Sequence, residues 1–283
     1  ATDERLPVIL IVGPPRSGTT LIYQVLGYSL DVTYPNNLGS LLPRSPITAS
    51  RMATKRRAEF QNFYGQTARM SGPNDAFHIW NRWLGSDRYT ARTDLSDAEI
   101  DEMQRFFHAW TAVQQKPFLN KNNRNAECAG MLAKYLPSSY FVAVRRDPVC
   151  VARSLIKARA VVQGDKTVGW GLQCQEQHAN EDPLGYVHEV CDQVLKNGQS
   201  LTDQLLKLDP QRVIEITYES FCTDPDGCIR QIADRIPQLS VRPEARTFGP
   251  GDFQQSSSQR LTEPEEEIIR SRFPAEAESP HCQ

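Results

Sequence analysis

Apolar runs of strand length alternate with helix-like segments from Val8 to Tyr218. Residues 8–12 form a continuous β-branched run of the kind found in buried parallel strands, and residues 20–28 continue it with a helical pattern. Residues 140–144 and 213–217 repeat the strand pattern, and a helix-like segment follows the first of them. Strands that alternate with helices predict a three-layer α/β/α fold around a central parallel sheet.

Length and patterning favour a single domain over residues 1–283. No shift to linker-like composition interrupts the alternation of strands and helices. Residues from about 30 to 115 predict a long, mostly polar and helical insertion after the first helix. The capping-box pattern Thr262-Glu263-Pro264-Glu265 predicts a last helix to about Phe273, and the tail from about 274 to 283 is expected to be frayed.

The turn after the first strand has the spacing of a nucleotide-binding phosphate loop but lacks its lysine. Gly13 and Gly18 stand where that loop has its glycines, and Thr19 stands where it has lysine. A tight turn that leads into a helix points backbone N–H groups and the positive end of the helix dipole at one anion. Arg16 offers a planar fork of donors in place of the lysine. The turn therefore predicts an anion site that differs from that of an ATPase.

The string Pro15-Arg16-Ser17-Gly18-Thr19-Thr20 resembles the 5'-phosphosulfate loop of sulfotransferases, which use 3'-phosphoadenosine 5'-phosphosulfate (PAPS). That family is related in fold to the P-loop nucleotide kinases. The resemblance implies that these six residues bind the donor. It also implies a site for the donor's 3'-phosphate at Arg146 and Ser154, which stand eight residues apart in an Arg-Asp-Pro turn and the helix after it.

The resemblance to sulfotransferases covers roughly residues 8 to 270. The motifs outside the two phosphate sites match the family less specifically. Lys121 follows the short run Phe118-Leu119-Asn120 and therefore stands at the carboxyl end of a strand, where open α/β sheets bind ligands. The resemblance gives Lys121 a contact with the bridging oxygen or the sulfuryl group. It places Tyr218 near the adenine, with a core position as the alternative. Residues 248–260 would close over the nucleotide through Ser257, Gln259 and Arg260, with a flexible linker as the alternative.

The stretch from 71 to 85 is expected to supply the general base on the acceptor side. We expect it to begin a helix with Pro73, Asn74 and Asp75 in the first turn, and His78 follows one turn later. Asp75 or His78 would act as the base, alone or as a pair in which one orients the other. The aromatic residues nearby would line an acceptor pocket or pack in the core; they are Trp80, Trp83, Tyr89 and Trp110.

The resemblance implies a metal-independent, in-line transfer of the sulfuryl group from PAPS to a hydroxyl or amine, with 3',5'-adenosine bisphosphate as the product. Carbohydrates, lipids, polyketides and peptides are all acceptors of this fold. One alternative is a small-molecule kinase that uses ATP and Mg²⁺, but Thr19 and the spacing of Arg146 and Ser154 argue against it. A second alternative is a catalytically silent nucleotide-binding scaffold, and the presence of Arg16 and Lys121 argues against that.

Charge and cysteine content narrow the partners and the compartment. The 32 basic and 34 acidic residues give a net charge of −2, which provides no general attraction to nucleic acid or membrane. The basic cluster from Arg51 to Arg57 is interpreted as a solvated helix face rather than a patch for an acidic substrate. No apolar stretch reaches the ~20 residues of a membrane span, and the start lacks a signal-peptide core.

The seven cysteines include no Cys-x-x-Cys pair and predict reduced, mostly buried thiols, which favours the cytoplasm. An anchored enzyme trimmed of its N-terminal segment would show the same start. The five histidines lack ligand spacing, so no metal site is predicted. The sequence leaves the oligomeric state open.

Overall fold

A parallel sheet of four strands lies at the centre of the molecule, in a computed structural model that describes residues 5–52, 60–87, 89–174, 182–253 and 261–274. The strands in chain order are β1 Val8–Val12, β2 Asn62–Phe63, β3 Gln66–Thr67, β4 Phe118–Lys121, β5 Ser139–Arg145 and β6 Val213–Thr217. The sheet has the order β4-β1-β5-β6, while β2 and β3 form a separate hairpin. The prediction of an α/β fold with a central parallel sheet is confirmed.

The helices connect the strands and cover both faces of the sheet. In chain order they are α1 Thr19–Ser29, α2 Asn37–Leu41, α3 Pro46–Met52, α4 Phe77–Leu84, α5 Asp97–Gln114, α6 Ala129–Tyr135, α7 Pro148–Ala158, α8 Gly185–Leu205, α9 Tyr218–Thr223, α10 Pro225–Arg235 and α11 Glu263–Arg272. Asn123–Ala126 and Pro210–Arg212 are 3₁₀ turns, and Arg159–Gln163 is a π-helical turn that extends α7.

The central strand β1 is buried on both faces, as its unbroken apolar run requires. Ile9 and Ile11 point into a core formed with α1, α9 and α10. Leu10 and Val12 point to the opposite face, into a core formed with α4, α5 and α6. Successive side chains of a strand alternate between its faces, so one apolar strand holds two helical layers together.

The insertion between α1 and β4 contains α2, α3, the β2–β3 hairpin, α4 and α5. The expected start of α4 is wrong, because the helix begins at Phe77 and not at residues 73–75. Ala76 precedes the helix in a left-handed conformation with φ 57°, and its N–H donates to Asn74 Oδ1 at 2.8 Å. Asp75 therefore lies in the segment before α4 rather than in its first turn.

The tryptophans of the insertion are core residues. Trp80, Trp83 and Trp110 are completely buried and pack edge to face or tilted against Phe106, Phe107 and Phe118. Of the two positions expected for these three side chains, the structure shows the core and not the acceptor pocket. Tyr89 is exposed. Large aromatic rings bury more apolar area than other side chains, which favours their use at the centre of a helical layer.

A hydrogen-bond network at Asn120 ties this aromatic core to the edge of the sheet. Trp80 Nε1 donates to Asn120 Oδ1 at 2.6 Å. The amide of Asn120 donates to the Tyr23 hydroxyl at 3.2 Å and to the Asn74 carbonyl at 3.0 Å. The network is buried, and it fixes the segment before α4 against the carboxyl end of β4.

In the part of the chain that the structure describes, no helix is both long enough and apolar enough to span a membrane. Cys128, Cys174, Cys191, Cys222 and Cys228 are free thiols. Cys150 is disulfide-bonded, so the expectation of uniformly reduced cysteines is wrong at that position.

Replacement of Trp80 by Phe should cost more stability than replacement of Trp83. Both side chains are completely buried, but Trp83 Nε1 has no hydrogen-bond partner within the described residues, whereas Trp80 Nε1 binds Asn120. Trp80→Phe leaves the Asn120 oxygen buried without a donor, which costs about 1–3 kcal/mol beyond the loss of ring volume that both variants share. Urea unfolding measures the difference, and equal costs for the two variants would contradict it.

Candidate active site

The carboxyl ends of the four parallel strands bring the sequence-predicted site residues to one edge of the sheet. The register pairs Ile11 with Lys121 and Val12 with Ala143, and it pairs Arg145 with Thr217. The loop after β1, the end of β4, the turn after β5 and the start of α9 therefore meet at this edge. Open α/β sheets bind their ligands in this position.

The loop after β1 depends on its two glycines. A Cβ atom on Gly13 would lie 2.7 Å from the Val144 carbonyl oxygen. Gly18 has φ 89°, and a Cβ atom there would lie 2.0 Å from the ring of Tyr218. Ser17 closes the turn, since its N–H and its hydroxyl both donate to the Pro14 carbonyl. Gly18 precedes the first turn of α1, where no described side chain makes a capping hydrogen bond, so the N–H groups of that turn suit an anion.

Arg16 extends from this loop to α7. Its Nε donates to the Ser154 hydroxyl at 2.9 Å, and its guanidinium lies 4.9 Å from the ring centroid of Tyr64. The backbone of Arg16 is left-handed, with φ 71°. Burial lowers the pKa of the guanidinium, and the positive charge of Arg146 lowers it further. Among the described residues Arg16 forms no ion pair with a carboxylate, so its charge is available to an anionic ligand.

Arg146 joins the same cluster from the turn after β5. Its Nη1 donates to the Arg16 carbonyl at 3.0 Å, and its guanidinium lies 4.5 Å from the ring centroid of Tyr218. The Nε atom of Arg146 is buried and has no partner within the described residues. Asp147 caps α7 by accepting the N–H groups of Val149 and Cys150, which fixes the direction of the helix that carries Ser154.

Tyr218 combines the two positions that the sequence allowed. It is buried in the core next to α1, and its ring also packs against Gly18 and under Arg146. Burial raises the pKa of its hydroxyl to about 12. The side chain is therefore a neutral aromatic wall between the loop after β1 and the turn after β5.

Lys121 and Asp75 form an ion pair at the end of β4. Lys121 Nζ donates to Asp75 Oδ2 at 2.9 Å, and the exposed fractions of the two side chains are 3% and 19%. Asn122 holds the backbone of Asp75 through a 2.9 Å bond from its amide to the Asp75 carbonyl. The candidate cation and a candidate base are therefore in direct contact.

His78 lies on the first turn of α4 without a hydrogen bond to Asp75 among the described contacts. Its Nε2 is buried and unpartnered there, and burial lowers the pKa of the imidazole below its ordinary value of 6.5. His78 is therefore neutral near pH 7. The structure gives no support to the idea that Asp75 and His78 work as a hydrogen-bonded pair.

Two aromatic side chains that the sequence reasoning missed lie over the loop. Tyr64, at the turn of the β2–β3 hairpin, contacts Arg16 and packs edge to face on Trp170 at 6.4 Å. Gln193 holds the segment of Trp170 by donating to the Trp170 and Leu172 carbonyls. Tyr64 has φ 46°, which is unusual for an aromatic residue. The glycine at position 65 is typical of a turn, but nothing in the local sequence indicates the contact of Tyr64 with Arg16.

Ser257, Gln259 and Arg260 lie outside the described residues. The structure does describe the residues on either side. Phe253 stacks on Phe221 of α9 at 5.8 Å, and Glu266 of α11 accepts a bidentate pair of bonds from Arg153, the neighbour of Ser154. The residues before and after 254–260 therefore contact α9 and α7, the helices that carry Tyr218 and Ser154. Within the described ranges, no group of three His, Cys, Asp or Glu side chains converges to hold a metal ion.

Comparison with known proteins connects this geometry to one family. The family model described as "Sulfotransferase family" matches residues 7–238. No curated protein gives a significant match.

Three solved structures have a similar fold. Sulfotransferase STF1 from Mycobacterium tuberculosis H37Rv is 15% identical with a TM-score of 0.57, over 95% of this chain and 77% of that chain. A sulfotransferase from Alicyclobacillus acidocaldarius is 17% identical with a TM-score of 0.52, over 97% and 95%. Sulfotransferase STF9 from Mycobacterium avium is 16% identical with a TM-score of 0.51, over 97% and 69%. At these identities the likeness concerns the fold.

Replacement of Gly18 by Ala should destabilise the protein more than replacement of Gly164. Both glycines have positive φ, at 89° and 77°, so each alanine incurs a left-handed backbone cost of about 1–2 kcal/mol. At Gly164 the added Cβ meets no atom within 4 Å, while at Gly18 it collides with the ring of Tyr218. Gly18→Ala should therefore cost about 1–3 kcal/mol more in denaturant unfolding. Indistinguishable losses would show that Tyr218 does not constrain the loop.

Proposed function

The chain belongs to the sulfotransferase family, and on this premise we propose that it transfers the sulfuryl group of PAPS to a hydroxyl or amine of an acceptor. The single observation that carries the proposal is the hydrogen bond from Arg16 to Ser154. It joins the two segments that the family uses for the two ends of the donor, the loop after β1 and the helix after β5. A site for one doubly phosphorylated adenosine requires this proximity.

The residues at the site suit an anionic donor. Burial and the nearby positive charge of Arg146 both disfavour the charged form of Arg16, and a bound phosphate would offset this cost. The Nε of Arg146 is a buried donor without an acceptor among the residues that the structure describes, and a bound anion would supply one. In this proposal Pro15, Ser17, Gly18, Thr19 and Thr20 bind the 5'-phosphosulfate together with Arg16, while Arg146 and Ser154 bind the 3'-phosphate. Tyr218 contacts the adenosine, and Ser257, Gln259 and Arg260 stay predicted donor ligands.

PAPS supplies an activated sulfuryl group whose S–O bond to the 5'-phosphate breaks as the acceptor oxygen or nitrogen bonds to sulfur. Negative charge develops on the oxygen that leaves with the phosphate. Lys121 and Arg16 offset that charge, since both are cations at the same edge of the sheet. The acceptor's proton passes to a base on the insertion side, and the proposal assigns no metal to any step.

Asp75 is the better candidate for this base, and His78 is the second. Asp75 contacts Lys121, the residue proposed to act at the breaking bond, so a proton acceptor and a charge stabiliser lie 2.9 Å apart. His78 is neutral and therefore competent as a base, but no described contact links it to Lys121.

The donor assignment predicts selective stabilisation by 3',5'-adenosine bisphosphate. At a hundredfold excess over its dissociation constant this ligand should add ~2.7 kcal/mol of stability. ATP with Mg²⁺ and AMP should add much less at equal concentration, because they lack the 3'-phosphate. Thermal unfolding with the three ligands in parallel measures this, and a larger shift with ATP and Mg²⁺ would favour the kinase alternative.

A matched pair of variants sharpens the donor experiment. Arg146→Ala should abolish most of the shift that the bisphosphate produces. Arg145→Ala should retain it, because Arg145 points away to Glu215 and Thr202. Loss of the shift in both variants, or in neither, would contradict a 3'-phosphate site at Arg146.

The base assignment predicts a loss of turnover in Asp75→Asn of about 10²–10⁴-fold, the usual contribution of a general base. His78→Asn should lower turnover much less, and the exposed His108→Asn provides a matched control. Single-turnover rates with saturating donor measure the effect, after unfolding experiments establish that Asp75→Asn still folds without its ion pair to Lys121.

If His78 is the base instead, the pH profile will reveal it. Burial lowers the pKa of His78, so the rate would fall as pH drops below 6.5, and that limb would vanish in His78→Asn. Near-normal turnover in both single variants and the double variant would exclude the pair.

A further inference from the structure

The first half of the insertion, up to Asn74, carries an excess of positive charge in an otherwise acidic chain. Residues 32–74 contain six Lys and Arg residues and one acidic residue, while the whole chain has a net charge of −2. Within residues 32–52 and 60–74, which the structure describes, the charged residues are Arg44, Arg51 and Arg69. Such an asymmetry creates a local positive field that the net charge conceals.

The same part of the insertion exposes large apolar side chains. Leu41, Leu42 and Met70 are 64%, 43% and 55% exposed. Met52, at the end of α3, and Phe63, in the hairpin, are exposed as well. Single exposed apolar residues are ordinary, but five in one basic module are a feature of interaction surfaces.

A backbone hydrogen bond joins α2 to the segment that carries Met70. The Leu38 N–H of α2 donates to the Met70 carbonyl at 3.0 Å, and Leu41 and Leu42 lie one helical turn beyond Leu38. The chain then turns at 42–45, where the Ser45 N–H donates to the Leu42 carbonyl and Arg44 is exposed. We call this group, Leu41, Leu42, Arg44 and Met70, the apolar tip.

The apolar tip is connected to the candidate active site by short polar contacts. Asn37 of α2 accepts a 2.9 Å bond from the Asn74 amide, and Asn74 precedes Asp75. In the hairpin of the same module, Tyr64 contacts Arg16. A surface that binds the apolar tip is therefore adjacent to the side of the site where the acceptor is proposed to react.

We propose that the apolar tip docks on an anionic lipid bilayer, and that the acceptor is a hydroxyl-bearing amphiphile held in that bilayer. The assignment of the acceptor rests on the proposed function. Leucine and methionine side chains at the end of a short helix insert between headgroups, while arginines contact anionic lipids.

Charge complementarity favours this partner over another copy of the chain. A symmetric dimer through the apolar tip would bring Arg44 of one protomer close to Arg44 of the other, and like charges repel. An anionic bilayer gives the arginines opposite charge and the leucines an apolar environment at the same time.

Sedimentation with phospholipid vesicles tests the docking. The full chain should bind vesicles that contain phosphatidylglycerol and should bind pure phosphatidylcholine vesicles at least tenfold more weakly. Arg44→Gln should weaken the binding about fivefold, which corresponds to the usual effect of one basic residue at an anionic membrane surface. Added salt should weaken it further, because the interaction is screened.

Matched variants separate the apolar tip from exposed residues elsewhere. Leu41→Ser with Leu42→Ser should reduce vesicle binding at least tenfold, whereas Leu206→Ser, at an 80% exposed leucine just after α8, should leave it unchanged. Arg230→Gln, at an exposed arginine of α10, is the control for Arg44→Gln. The docking would be overturned by equal binding to both kinds of vesicle, by no binding to either, or by equal losses in the control variants. Binding to an acidic protein without binding to vesicles would overturn it as well.

A kinetic experiment tests the assignment of a membrane-held acceptor separately. With PAPS present, the double leucine variant should raise the KM for a long-chain alcohol in anionic vesicles and leave the KM for a short, water-soluble alcohol unchanged. An equal change in the KM for both alcohols would overturn the assignment of the acceptor. Vesicle binding needs no donor, so its failure is distinguishable from a failure of sulfuryl transfer.

Discussion

The hydrogen bond between Arg16 and Ser154 is the constraint on which the site depends. It joins residues 138 positions apart, and it exists because β1 lies next to β5 in the sheet. Arg16 reaches it with a left-handed backbone, in a partly buried position next to a second arginine. Strain, burial and like charge all oppose this arrangement, and proteins retain such opposing features where a ligand or a reaction requires them.

The parts of the fold that the sequence predicted well are set by local physics. A continuous β-branched run predicted β1, and the resemblance to sulfotransferases pointed to Arg146 and Ser154, each of which contacts Arg16 in the structure. The start of α4 was mispredicted because Ala76 takes a left-handed conformation that alanine disfavours, held by the bond to Asn74. The contact of Tyr64 with Arg16 was not predictable, since it depends on how a hairpin folds back over a distant loop.

Burial also sorts the residues of the insertion into two groups. Its tryptophans lie in the core because burial of their large apolar area is favourable. Smaller polar groups and Tyr64 therefore line the site on this side. Five of the insertion's exposed large apolar residues, Leu41, Leu42, Met52, Phe63 and Met70, lie in or next to α2, α3 and the hairpin. Donor binding is thus proposed for the sheet edge and acceptor contact for the insertion, with the pair of Lys121 and Asp75 between them.

That pair has a consequence for the order of events. Lys121 is almost fully buried, and a buried ammonium without a partner is costly, so Asp75 stabilises it in the resting structure. While Lys121 donates to Asp75 Oδ2, the carboxylate oxygen and the ammonium group are each occupied by the other. An anionic donor beside Lys121 would compete for its protons and release the carboxylate to accept a proton from the acceptor. In the proposed mechanism the ion pair would couple the base to the presence of the donor and so limit proton abstraction to the complex in which a sulfuryl group is available.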